Sequence, residues 1–129
     1  MIQNPIHPVS KLNFKNINLG GDGLIRILEA CNANKNIKSV NLGYVNSRGL
    51  CDIAKLLNGN KTLAKLKFAE CKTGERWNQK SMDEFIVLIK DLHNTNLTKV
   101  KFEPATKKDE LQGHKLFKKE IEFYVKKIK

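Results

Sequence analysis

Three cysteines recur at intervals of twenty residues, at Cys31, Cys51 and Cys71. Evenly spaced thiols are the first place to look for chemistry, because thiolates with nearby imidazoles hold zinc. The histidines His7, His93 and His114 share no ligand-like spacing with them. The pattern described below puts Cys31 at the end of one helix, Cys51 at the start of the next and Cys71 after a strand, so the three thiols do not converge. They are expected as small side chains filling the interior. An odd number of cysteines without a secretory leader also argues against a disulfide framework. The glycine cluster Gly20-Gly21-Asp22-Gly23 lacks the Lys-Ser/Thr of a phosphate-binding loop and reads as a tight turn into a helix. No Ser, His and acidic constellation and no paired carboxylate has a catalytic context. The chain is expected to be no enzyme and to need no cofactor or metal.

The side chains that remain are lysines. Lys and Arg number 24 against 13 Asp and Glu, a formal charge of +11. How they are displayed depends on the elements that carry them. Apolar residues at relative positions 1, 4 and 6 recur four times: Val9, Leu12, Phe14; Ile37, Val40, Leu42; Leu63, Leu66, Phe68; and Leu97, Val100, Phe102. The starts lie 28 (9 to 37), 26 (37 to 63) and 34 (63 to 97) residues apart, which leaves about seven extra residues near Lys72 to Lys80 in the third unit. Each triplet reads as a short strand, and a helix-period run follows it. An ordinary α/β domain with similar helices is the competing reading. The repeat with an Asn-rich exit (Asn58-Gly59-Asn60) is instead the pattern of a leucine-rich repeat.

Helix signals fall between the strands. Asp22 is the expected N-cap of a helix over about 23–31, with Leu24, Ile27 and Leu28 on one face. A second helix is expected from Ser47 and is stopped by Gly59 in a left-handed C′ position. Ser81-Met-Asp-Glu84 reads as a capping box for a third, with Phe85, Ile86, Leu88, Ile89 and Leu92 inward. From Thr106-Lys-Lys-Asp109 a longer helix carries Leu111, Phe117, Ile121, Tyr124, Val125 and Ile128 on one stripe, expected to cap the last repeat. Its lysines, Lys115, Lys118, Lys119, Lys126, Lys127 and Lys129, make a membrane-surface helix the functional alternative. The lead-in from Met1 to Pro8, with Pro5 and Pro8, is a thin cover for the first strand. Either it lies across that end, or the end self-associates. It has no leader pattern, and no run reaches membrane-span length. The expectation is one soluble, cytoplasmic-type domain over 1–129.

Strand alternation sharpens the surface. If positions 4 and 6 are buried, positions 3, 5 and 7 share the opposite, concave face: Lys11, Asn13, Lys15; Ser39, Asn41, Gly43; Lys65, Lys67, Ala69; and Lys99, Lys101, Glu103. Six lysines there meet one carboxylate. Lys65, Lys67, Lys99 and Lys101 should form a two-by-two block on strands about 5 Å apart. An acidic protein partner is the sharper reading and a solvated lysine-rich surface the plainer one. Nucleic acid is the alternative, weakened because Phe14, Phe68 and Phe102 occupy the buried strand position and so cannot stack on bases. Arginine, the better bidentate phosphate ligand, appears only at positions 26, 48 and 76. Arg76 and Trp77, in the insertion, are a second candidate contact, of types enriched at binding hot spots. The competing view has Trp77 folded back as a lid.

Units of 26 to 28 residues with a true helix in each resemble the ribonuclease-inhibitor subclass of leucine-rich repeats. The stretch Asn60-Lys61-Thr62-Leu63-Ala-Lys-Leu66-Lys-Phe68 is similar to its helix-to-strand junction, and with the terminal helix it also resembles the repeat domain of tropomodulin, an actin-filament pointed-end capper. The resemblance implies an α/β solenoid with a parallel concave sheet, convex helices and a C-terminal helical cap, acting as a binding scaffold without chemistry. Cys71 fits the subclass's Asn or Cys after the strand. Ile17, Val45 and Ala105 do not, which puts the hydrogen-bonded ladder there in doubt.

Overall fold

The computed structural model describes residues 10–18, 20–71, 77–90, 96–105 and 113–127. Among the described residues, four strands alternate with four helices: β1 Lys11–Asn13, α1 Gly20–Ala33, β2 Ser39–Val45, α2 Ser47–Gly59, β3 Lys65–Glu70, α3 Gln79–Lys90, β4 Lys99–Glu103 and α4 Gly113–Lys126. The strands form one parallel sheet in chain order, β1-β2-β3-β4. A parallel neighbour requires a crossover, and a helix supplies it each time.

The register carries the sequence pattern into space. Leu12 lies beside Val40, Val40 beside Leu66, and Leu66 beside Val100, so position 4 of each unit forms one row, buried at Val40, Leu66 and Val100 and half-buried at Leu12. Leu42, Phe68 and Phe102 continue it at position 6, while Phe14 is half-buried. The entry to each strand is also repeated. The carbonyls of Ser10, Lys38 and Ala64 each accept from two successive amides of the next unit, at 38 and 39, 64 and 65, and 98 and 99. Val9, the first frame residue, and the lead-in before it fall outside the described residues.

Leu24, Leu28, Leu50, Ile53, Ala54, Leu57, Phe85, Ile86 and Ile89 bury the inner faces of the helices against these rows. Each helix also packs on the next. Buried Asn60 ties one unit to its neighbour: its Oδ1 accepts from the amides of Thr62 (2.9 Å) and Leu63 (2.8 Å), and its Nδ2 donates to the Cys31 carbonyl (3.4 Å).

The helix ends differ from the sequence expectation. Helix α1 begins at Gly20, so Asp22 lies in its first turn and is not the cap. Helix α2 starts at Ser47 as expected, with Asn46 as N-cap accepting from the Gly49 amide. It runs through Gly59, and Asn60 in extended conformation takes the C-cap instead. The α3 box sits three residues earlier than expected. Asn78 Oδ1 accepts from the Ser81 amide at 2.8 Å, and Ser81 Oγ accepts from the Asn78 amide at 3.1 Å. Asparagine accepts as well as serine does, so Ser81 serves as the reciprocal partner and not as the cap. In α3, Leu88 is only half-buried. In α4, Phe117, Ile121 and Val125 are buried and Tyr124 is half-buried. Leu92, Leu111, Ile128 and the Thr106–Asp109 start signal lie outside the described residues. Among the described residues, no helix is long and apolar enough to cross a membrane.

Strand β2 breaks its alternation. A register shift between Asn41 and Tyr44 sets Tyr44 beside Ala69, and Gly43 is buried against the loop after β1 at φ +75°. A Cβ there would stand 2.3 Å from the Phe14 carbonyl oxygen and 2.4 Å from that of Ile17. Only glycine permits both the left-handed backbone and that approach.

Candidate functional site

The sheet face turned away from the helices carries two lateral rows. Lys11, Ser39, Lys65 and Lys99 are in register in one, and Asn13, Asn41, Lys67 and Lys101 in the other. The charge is therefore uneven. Strand β2 puts neutral Ser39 and Asn41 between Lys11 and the four lysines of β3 and β4. Lys65, Lys67 and Lys101 are exposed, and Lys99 is partly covered. The Lys99 amine is held below its ordinary range, first by a hydrogen bond with Lys101 and then by repulsion from that ammonium, with smaller effects from desolvation, Lys67 and Lys65. Like charges this close disfavour the charged form of Lys99. The block gathers four lysines on two adjacent strands.

Lys15 reaches the same face from the loop after β1, where Asn13 Oδ1 accepts from its amide at 2.9 Å. With Asn16, Asn41, Lys67, Lys101 and Glu103 it borders a depression of about 260 Å³. Tyr44, whose hydroxyl donates to Asn16 Oδ1 at 3.3 Å, braces that loop.

Trp77 is not at the surface. Its side chain is 6% exposed, its Nε1 donates to the Val45 carbonyl at 2.9 Å, and Phe68, Phe102 and Phe117 surround it. The lid alternative describes this placement, and the indole is out of a partner's reach. Arg76 lies outside the described residues.

Beneath Trp77 is a carboxylate that the sequence reading overlooked. Glu70 is 1% exposed and accepts from the amides of Trp77 (2.8 Å) and Ala105 (3.0 Å) and from Nε2 of His114 (3.0 Å). Because a carboxylate only accepts, Nε2 must carry the proton. The signal was available: with Leu66 and Phe68 inward, strand parity sends Glu70 inward too.

Cys31 and Cys71 are buried, and Cys51 donates to Glu84 at 3.3 Å on the helical side. Burial pushes all three thiols up. Among the described residues, no three metal-ligating side chains converge.

The geometry defines a small α/β unit with one basic, solvent-facing sheet surface. No protein-family model matches this chain, and no curated protein does. Among solved structures, the leiomodin-1 actin-binding site 2 aligns over 92% of this chain and 84% of that one, at 16% identity and a TM-score of 0.44.

Proposed function

We propose that this chain is a short, single-domain leucine-rich-repeat solenoid of the ribonuclease-inhibitor type. It works as a non-enzymatic, cytoplasmic binding module that docks an acidic protein surface on its sheet face. The observation that carries the reading is the adjacency of Lys65 to Lys99 and of Lys67 to Lys101 in register on neighbouring strands. Such a block costs self-repulsion when free, and an acidic partner relieves that repulsion on docking. Lys11 and Lys15 extend the contact to the far edge of the sheet. Flexible lysines on a flat sheet, with the strand phenylalanines turned to the core, suit a protein carboxylate patch better than stacked bases.

The test is capture from a cell extract with wild-type protein beside Lys67→Glu/Lys101→Glu. Both side chains point to solvent, so the double variant should keep its circular dichroism and melting temperature. The expected result is an acidic protein retained by the wild type, lost by the variant and released steeply as salt rises. Retention by both proteins would overturn the face assignment. Capture of nucleic acids of many sequences, with log affinity falling linearly with log salt, would replace the protein partner.

A further inference from the structure

A cavity of about 410 Å³ opens where α4 meets the end of β4, separate from the lysine block. Phe102 and Pro104 form its apolar wall, and His114 lies against it. Lys115, Lys118 and Lys119 supply three ammonium groups, and Glu122 is the one carboxylate. His114 is 7% exposed, and its Nδ1 is buried with no hydrogen-bond partner among the described residues, while Nε2 is committed to Glu70. A buried imidazole nitrogen left unpaired is costly, and such orphans call for an explanation. Three positive charges against one negative leave two in excess, which matches a dianion. Lysines bind phosphate as point charges.

We propose that this cavity binds a small phosphate monoester, with Lys115, Lys118 and Lys119 on the phosphoryl oxygens and the organic part against Phe102 and Pro104. His114, held by Glu70 through Nε2, lines the same cavity. The inference is independent of the sheet-face reading, because Lys65, Lys67, Lys99 and Lys101 do not line this cavity.

Trp77 is the only tryptophan of the chain and stacks on His114 with centroids 5.8 Å apart and planes 15° apart. Its fluorescence should therefore report the site. The experiment titrates inorganic phosphate and glycerol 3-phosphate into the full chain at constant ionic strength set with sodium chloride. A third arm uses phosphatidylcholine vesicles with and without phosphatidic acid. A saturable fluorescence change with both soluble probes is expected, and it should weaken at least about tenfold in Lys118→Gln/Lys119→Gln. Lys67→Gln/Lys101→Gln should titrate like wild type. Response to phosphatidic acid vesicles alone would assign the same phosphate chemistry to a lipid headgroup. The proposal fails if phosphate acts no differently from chloride, or if the sheet-face variant loses the response as fully as the cavity variant. Melting curves of both variants confirm that each is folded.

Discussion

Individual side chains decide how the third and fourth units hold together. The Glu70 carboxylate receives two backbone amides and the His114 imidazole with almost no access to water. Removing one member of such a buried set strands the others, at about 3 to 5 kcal/mol. Glu70→Ala should therefore lower stability by roughly that amount in urea unfolding, and Glu70→Gln by less, since the amide oxygen still accepts. Equal stability in Glu70→Ala would mean that water replaces the carboxylate. The Cys51 thiol is raised from its ordinary 9.0 by burial first, then by the hydrogen bond and charge of Glu84. A raised thiol holds its proton as pH climbs, so alkylation of Cys51 should lag that of a free thiol at pH 8 and catch up only at higher pH. Glu84→Gln removes the charge and should move that rise to lower pH, as followed by mass spectrometry.

At the scale of elements, the strands were the most legible part of the chain. Period-2 alternation with a repeated frame left few ways to arrange Leu12, Val40, Leu66 and Val100, and all four lie in one row. Helix ends were less legible, because several neighbouring polar residues can cap. Asn78 and Asn46 hold the caps where Ser81 and a bare start at Ser47 were read, each accepting from the amide three residues on. The register shift at Gly43 was not legible, because a bulge adds one residue and nothing in an apolar frame announces it. Gly43→Ala should be severely destabilising: the left-handed backbone alone costs about 1 to 2 kcal/mol, and the Cβ would meet two carbonyl oxygens. Loss of the cooperative thermal transition is the expected readout. Phe117, whose side chain is 2% exposed, anchors α4 on the last unit. Phe117→Ala should cost about 3 to 5 kcal/mol. An unchanged melting temperature would show that α4 is not part of the core.

For the whole molecule, folding and docking make separate demands on the two sheet faces. The helix side spends its apolar rows on the core. The opposite side carries the exposed Lys65, Lys67 and Lys101. That division made the candidate surface readable from residue spacing alone, down to the pairing of Lys65 with Lys99. The cavity beside His114 was not readable, because it depends on where α4 comes to rest against β4, and local sequence does not encode that placement. The most direct measurement is an NMR map of isotopically labelled chain bound to the acidic protein captured by the wild type. The account predicts that cross-saturation and shift changes fall on Lys65, Lys67, Lys99, Lys101 and Asn41, and leave Lys55, Lys80 and Val87 on the helical side unmoved. A footprint centred on the helices, with the sheet lysines silent, would contradict it.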